Sequence, residues 1–365
     1  MIEIKELEFS DATLRLLWEK MEEKNSFSVF QSFSWHKNWF EKIASKDKYL
    51  KTIIKVAFID NVAVAIFPLI LKTKYFNTII EFFGQDQFDY KTPIFDKNIN
   101  IFEVWQKINE SLPKHDVKYL DKIPSHISGC SNPFASLNFS KSLQESFQID
   151  LPSNIENLSF ISKSSKSQTL RRRRRIAERG ELKFIICDSS KDYKKIIAET
   201  FEQKEHRYIE TGVRNILAKD DVKNFYESLY LSDLGKIKIH LSYLSLNNEI
   251  LATHLGFIYD DTFYWIFPSF KRSNFDKYSP GRILLYELII HSIECGLKKF
   301  DFTVGSEDFK KKWSNNSTNL ITYYDYNSFK GFIFCKTLRV INFIKNHQRL
   351  RLFIMNINKK IRFIR

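Results

Sequence analysis

The sequence has few of the residues that break or cross-link a polypeptide chain. Its 365 residues include only 10 glycines, 8 prolines and 4 cysteines. The cysteines are scattered and form no C-x-x-C pair, which favours free thiols in a reducing compartment over a disulfide framework or a zinc site. We therefore expect neither disulfides nor a bound metal.

Long hydrophobic runs are also missing. The best candidate, NVAVAIFPLIL, ends at Lys72 and falls short of the ~18 to 20 apolar residues that span a bilayer. The first residues, MIEIKELEF, mix acids with bases, unlike a secretory signal peptide. These features predict a cytoplasmic protein.

Basic charge predominates, but it is unevenly distributed. The formal net charge is +14, and residues 331–365 hold nine Lys or Arg and no acid, which leaves +5 for residues 1–330. A nucleic-acid binder usually spreads its basic charge over a folded face, so this function is disfavoured. The tail, 331–365, alternates bulky apolar residues with cations. It suits an interfacial helix on anionic lipid, a docking segment for an envelope-synthesis partner, or a helix folded back on the body.

Two apolar segments, each with a two-residue polar break, predict β-hairpins. They lie at 55–71 and 241–258, with Asp-Asn and Asn-Asn at the turns. Related sequences follow, QFDYKTPI and NFDKYSPG, and one offset of 187 residues (Phe88 to Phe275) aligns both pairs of segments. We interpret the repeat as an internal duplication. It predicts two α/β lobes, 1–150 and 151–330, followed by the basic tail.

The second lobe contains the clearest helix and a strand with an unusual carboxylate. PGRILLYELIIHSIECG (280–296) begins after Ser279, a natural cap, and has proline in its first turn. The following strand, KKFDFTV, contains Asp301, and buried strands seldom carry Asp unless it is paired. Glu307 and Lys310 come just beyond a glycine-containing turn. A structural Asp–Lys pair beside a solvated helix turn is the alternative interpretation.

Five consecutive arginines lie in SQTLRRRRRIAERG (167–180), which predicts a helix that ends at its glycine. Five consecutive helical positions sweep the whole circumference, so some of these side chains must face the protein. Leu170 and Ala177 define the expected inward face, with Arg173 and Arg174 beside them. We expect Arg173 or Arg174 to meet an anionic substrate or donor group. A solvated basic face is the alternative.

In their order and spacing, these segments resemble the CelD/BcsL-type acetyltransferase family, a branch of the GNAT superfamily linked to cellulose and other exopolysaccharide synthesis. The resemblance rests on Y-W-x-F-P, F-D-x-x-S-P-G, a helix, and F-D-F-x-x-G-x-E-x-F-K-x-x-W, and it spans about residues 25–320. It implies two tandem GNAT-like lobes, each a twisted mixed sheet flanked by helices. The acyl-thioester site would lie in the second lobe.

The resemblance also implies where the donor, acetyl-CoA or another acyl-CoA, would bind. Its pyrophosphate would lie at the start of the helix, at Ser279, Gly281 and Arg282. The pantetheine arm would follow the strand through Trp265 and Phe267, where a backbone N–H would polarise the thioester carbonyl. The S-P-G-R loop has fewer glycines than the usual GNAT phosphate loop.

Acyl transfer to an amine or hydroxyl needs a base whose pKa lies near the working pH. His254, in the strand segment ATHLGF, is the first candidate, and a satisfied core histidine is the alternative. Asp301 and Glu307 are rival bases, and Lys310 is a further candidate catalytic residue.

Three functions remain open from the sequence. The leading one is acyl transfer to a nucleotide-linked or lipid-linked sugar of the cell envelope or an exopolysaccharide, with Asp89 and Tyr90 as candidate substrate-binding residues. FemX-like proteins are also tandem GNAT lobes and transfer amino acids from aminoacyl-tRNA, which the arginine helix would then bind. The third is a non-catalytic scaffold that docks a polysaccharide synthase to the membrane.

Overall fold

A computed structural model describes residues 1–24, 28–127, 130–136, 140–305 and 307–346. The strands are β1 (Ile2–Leu7), β2 (Leu50–Ile59), β3 (Val62–Lys74), β4 (Asn77–Phe82), β5 (Ile94–Phe95), β6 (Val117–Pro124), β7 (His126–Ile127), β8 (Cys130–Ser131), β9 (Ser140–Asp150), β10 (Leu182–Ile186), β11 (Lys238–Leu246), β12 (Glu249–Tyr259), β13 (Thr262–Phe270), β14 (Lys299–Val304) and β15 (Asn316–Tyr326). The helices are α1 (Ala12–Lys24), α2 (Phe33–Lys42), α3 (Ile101–Glu110), α4 (Lys163–Ala177), α5 (Ser190–Thr211), α6 (Asp220–Ser228), α7 (Pro280–Glu294), α8 (Asp308–Trp313) and α9 (Phe329–Asn346).

One mixed sheet runs through the molecule. Its strand order is β1-β2-β3-β4-β6-β15-β9-β14-β13-β12-β11-β10, with β5 paired to β3, while β7 and β8 pair separately. Each half contains an antiparallel meander, β2-β3-β4 or β11-β12-β13, then a helix, α3 or α7, and then a strand parallel to the meander's last strand. The mixed α/β architecture with two similar halves confirms the predicted fold class.

The predicted hairpin turns are confirmed. Asp60 and Asn61 have φ of 49° and 63°, and Asn247 and Asn248 have φ of 50° and 68°. Two-residue turns with both φ values positive match the right-handed twist of the flanking strands, and Asn and Asp tolerate this conformation. The repeat diverges at its proline, because Pro280 begins α7 whereas Pro93 precedes the short strand β5.

The last strand of each half lies next to the other half. β9 pairs with β14, and β15 lies between β9 and β6. This exchange places residues from both predicted lobes beside each other at the centre of the sheet. The lobe boundaries themselves stay a prediction.

Helices cover both faces of the sheet. One core combines α1, α2, α5 and α6 with strands of both halves, and α7 and α3 pack on the opposite face. Trp35 of α2 joins the halves through edge-to-face contacts with Phe225 and Phe257, at ring-centroid distances of 5.2 Å and 4.8 Å.

The first part of the predicted tail folds back on the body as α9. Cys335 is buried there against Ile79 and Val117. Residues 347–365 lie outside the described residues, and so does the remainder of the tail prediction. No helix in the described ranges is both long and apolar enough to span a bilayer.

Candidate functional site

The two parallel strands of the second half separate after a short paired segment. β13 and β14 are in register only from Thr262/Lys299 to Tyr264/Asp301. At the same place β13 bulges against β12, because Leu255 lies opposite Phe267 while Gly256 lies opposite Trp265. The extra residue, Ile266, has no partner in the register, and such a bulge leaves its backbone unpaired.

Strand β14 is also irregular where it leaves β13. Thr303 has a φ of 57°, an outlier for a β-branched residue. Its backbone N–H donates to Asp301 Oδ1 at 2.7 Å. Strained backbone of this kind persists only where the surroundings impose it, and it is frequent at functional sites.

Asp301 is buried at this divergence and accepts hydrogen bonds from both halves of the chain. Tyr90 donates its hydroxyl to Oδ1 at 2.7 Å, and Gln148 donates Nε2 to Oδ2 at 3.0 Å. Burial raises the pKa of the Asp301 carboxyl to about 6, because desolvation outweighs these hydrogen bonds. The group therefore changes its charge close to neutral pH.

A cavity of about 260 Å³ opens onto this carboxylate. It lies between the two halves, and its lining includes Gln31, Tyr90, Gln148, Tyr264 and Asp301. The predicted substrate residue Tyr90 and the predicted catalytic residue Asp301 therefore meet in one site. Asp89 does not line the cavity; it pairs with Lys122 at 3.2 Å. Gln148 was not predicted, since its role depends on the pairing of β9 with β14.

His254 lies on the other face of the sheet from Asp301. Its ring stacks on Trp265 at 5.7 Å, and Trp265 packs against Phe302, whose side chain alternates with that of Asp301 along β14. His254 is fully buried, and neither ring nitrogen has a hydrogen-bond partner among the described residues. Burial holds its pKa well below the ordinary value, so the ring is neutral.

Gly256 makes room for this histidine. A Cβ atom at position 256 would lie 2.5 Å from His254 Cε1 and 2.5 Å from the backbone oxygen of Tyr264. The fold thus accommodates the imidazole in the apolar layer under α7 without bringing it to the cavity.

Glu307 and Lys310 pair with each other beyond β14. Lys310 Nζ lies 3.2 Å from Glu307 Oε2 and donates to the Val304 carbonyl at 2.9 Å. Lys310 is buried and Glu307 is exposed. Asp301 forms no ion pair within the described ranges, so the alternative of a structural Asp–Lys pair at that residue is not observed.

A further lysine, which the sequence did not indicate, approaches the same divergence from α5. Lys204 Nζ donates to the Pro268 carbonyl at 3.1 Å. Burial lowers the pKa of Lys204 to about 8, and nearby Lys310 acts in the same direction. On an amphipathic helix one more lysine carries no signal, so this position could not have been selected beforehand.

Two arginines meet at the start of α7, one from α4 and one from α7 itself. Arg172 of α4 donates to Ser279 Oγ at 2.6 Å, and Arg282 donates to Thr169 Oγ1 at 2.9 Å and to Ser165 Oγ at 2.7 Å. In the part of the chain that the structure describes, neither guanidinium is paired with a carboxylate. Two uncompensated cations at the positive end of a helix form an attractive site for an anion.

Helix α4, which contains the five arginines, packs on α7 through a different face from the one predicted. Thr169 and Ile176 are its buried residues, whereas Ala177 is exposed. The inward face is therefore one position away from the predicted Leu170 and Ala177. As a result Arg172, rather than Arg173 or Arg174, reaches Ser279.

The other two arginines point elsewhere. Arg173 pairs with Glu287 of α7, and Arg174 is exposed.

Gly281 has space around it, since an added Cβ would meet the nearest atom, of Phe270, at 3.6 Å.

Comparison with known proteins identifies the fold of this site. Residues 163–311 match the family described as acetyltransferase (GNAT) domain. No curated protein sequence matches the chain.

Three solved structures resemble nearly the whole chain. FemX has a TM-score of 0.58 at 13% identity, with 87% of this chain and 97% of FemX covered. A conserved protein of unknown function from Bacteroides thetaiotaomicron has 0.56 at 14% identity, covering 88% and 100%. L-PGS from Bacillus licheniformis has 0.53 at 12% identity, covering 92% and 98%. At such identities the likeness is one of fold. The chain has a GNAT-type acyltransferase fold in a tandem arrangement.

Proposed function

We propose that this protein transfers an acyl group, acetyl in the simplest case, from acyl-CoA to an amine or hydroxyl. The acceptor is a nucleotide-linked or lipid-linked sugar of the envelope or an exopolysaccharide, as in the CelD/BcsL-type family that the sequence resembles. The observation that carries the proposal is the buried Asp301 carboxylate. It lies where β13 and β14 diverge, in a cavity lined by both halves.

Each part of the site has a chemical task in this reaction. Arg172, Arg282 and the Gly281 N–H at the start of α7 bind the donor's phosphates. The backbone N–H at the bulge residue, Ile266, donates to the thioester carbonyl oxygen, where negative charge develops. Acyl-CoA supplies a carbonyl carbon activated by its thiolate leaving group.

Asp301 then acts on the acceptor. Its carboxylate accepts the proton of the amine or hydroxyl as the new bond to the carbonyl carbon forms and the C–S bond breaks. A pKa of about 6 suits this task at neutral pH, because the group is ionised and still basic enough. Of the three candidate bases, His254 faces away from the cavity and Glu307 is exposed beyond β14, which leaves Asp301.

Donor binding at α7 is tested with Gly281→Glu, using Gly281→Ala as the matched control. An added Cβ atom at Gly281 makes only ordinary contacts, so neither variant should change the melting temperature appreciably. The added carboxylate should repel phosphate and abolish acetyl-CoA binding in calorimetry, whereas the alanine variant should bind nearly as wild type does. Unchanged affinity of the glutamate variant would remove the donor site from the start of α7.

One observation favours a second candidate, aminoacyl transfer from aminoacyl-tRNA. Arg171, Arg174 and Arg175 are exposed on α4 next to the start of α7, so the basic surface is larger than a pyrophosphate needs. tRNA affinity that falls steeply with salt, in a protein that does not bind acetyl-CoA, would establish this alternative.

A further inference from the structure

The turn between β3 and β4 exposes two aromatic side chains. Tyr75 and Phe76 are 72% and 93% exposed. Nothing in the proposed reaction uses them, because the turn lies far along the sheet from β13 and β14. Single exposed apolar residues are common, but two adjacent aromatic rings at one hairpin tip expose a large apolar area.

The backbone of this turn makes the aromatic pair still more unusual. Lys74 lies opposite Asn77 across a two-residue loop, and Tyr75 and Phe76 have φ of 49° and 62°. The same conformation occurs at Asp60-Asn61, where the residues suit it. Bulky side chains are disfavoured at positive φ, so the Tyr-Phe pair costs folding stability. Among the described residues, neither ring belongs to a hydrophobic core cluster.

The tip adjoins the beginning of α9. Lys330 donates Nζ to the Phe76 carbonyl at 2.9 Å, which ties the helix to the turn. Phe329 and Ile333 of α9 are 78% and 51% exposed, and Val340 is also exposed. Together with Lys336 these residues recur every three or four positions, which places them on one face of the helix.

Cations surround these rings and continue along the chain. Lys74 lies 5.2 Å from the centre of the Tyr75 ring, and Lys336 lies 5.4 Å from that of Phe332. Lys330 is neutralised in part by Asp116, at 2.9 Å. From residue 331 to the end, the sequence contributes nine Lys or Arg and no acid.

We propose that Tyr75, Phe76, Phe329, Ile333 and their neighbouring lysines form one surface that docks on an anionic lipid bilayer. Aromatic rings favour the headgroup region of a bilayer, and clustered Lys and Arg are attracted to anionic lipid. Neither the hairpin tip nor α9 crosses the bilayer in this arrangement; both lie at its surface. The proposal is independent of the acyl donor and acceptor.

The test uses the full chain and vesicles of phosphatidylcholine alone or with one quarter phosphatidylglycerol. The key variant is Tyr75→Asn with Phe76→Gly, which puts the preferred residues into this turn and so should fold at least as stably. The matched control is Asp60→Asn with Asn61→Gly, which introduces the same Asn-Gly pair at a turn without aromatic residues. Wild type and control should co-sediment with the anionic vesicles and bind the neutral ones weakly. The Tyr75/Phe76 variant should bind at least ~10-fold less tightly.

Several results would overturn the proposal. One is wild-type protein that ignores anionic vesicles, and another is a Tyr75/Phe76 variant that binds them as wild type does. Equal binding to neutral and anionic vesicles would exclude the role of the cations. Binding to RNA in competition with the vesicles, lost in the same variant, would identify a nucleic acid as the occupant instead. Melting temperatures of all three proteins show whether loss of binding reflects loss of folding.

Discussion

Replacing Asp301 with Asn should remove most of the activity and leave the folded protein at least as stable at neutral pH. The carboxylate accepts hydrogen bonds from Tyr90, Gln148 and the Thr303 N–H, yet its pKa is raised from 3.8 to about 6. This difference of roughly two pKa units means that folding favours the protonated carboxyl over the ionised one by about 3 kcal/mol of free energy.

The sign of this effect follows from proton linkage. Because the folded-state pKa of Asp301 lies above the unfolded value, the folded protein binds the proton more tightly between pH 4 and 6. Stability contributed by this proton is present below pH 4 and is lost as the pH rises through about 6. Above pH 6 the wild-type protein therefore carries a cost of about 3 kcal/mol that a neutral Asn avoids.

The variant needs one local adjustment. Asn keeps an oxygen for Tyr90 and the Thr303 N–H, but its amide nitrogen would face Gln148 Nε2. Rotation of the Gln148 amide presents its oxygen instead and restores the hydrogen bond.

Two measurements check the reasoning. Denaturant unfolding of both proteins at pH 4 and pH 8 should show that wild type, relative to the variant, loses about 2 kcal/mol between them. The difference isolates Asp301 because the other titrating groups are common to both proteins. Thiol release from acetyl-CoA, with amine and hydroxyl acceptors, should rise with pH around 6 in wild type and fall by ~10² to 10⁴-fold in the variant.

Either of two outcomes would refute this account. A variant with activity within ~10-fold of wild type would exclude Asp301 as the base. A variant that is several kcal/mol less stable at pH 8 would show that the ionised carboxylate is a structural group whose hydrogen bonds outweigh its burial.

Two further substitutions test the remaining site residues. Arg172→Gln should weaken acetyl-CoA binding, because this guanidinium reaches Ser279, whereas Arg174→Gln on the exposed side should not; equal losses in calorimetry would indicate a diffuse basic surface. His254→Leu should preserve turnover and raise the melting temperature, since it removes two buried ring nitrogens that lack partners. A ~10²-fold loss of turnover with an intact fold would return the role of base to His254.

Local sequence determined the elements whose stabilising interactions lie within a few residues. The Asp60-Asn61 and Asn247-Asn248 turns form as predicted because those side chains tolerate positive φ. The helix at Pro280 also starts where the sequence indicated, and Asp301 lies in the expected strand. Each outcome depends on interactions between residues that are close in the sequence.

Tertiary structure decided which of these residues meet. Asp301 and Gln148 are 153 positions apart, and they touch because β9 pairs with β14 instead of with its own half. His254 and Asp301 were predicted as alternatives for one site. They lie on opposite faces, because bulges and strand register set the direction of each side chain. The packing of α4 on α7 likewise selects Arg172 over its neighbours. Such choices depend on the pairing of distant strands and helices, and no local pattern encodes that pairing.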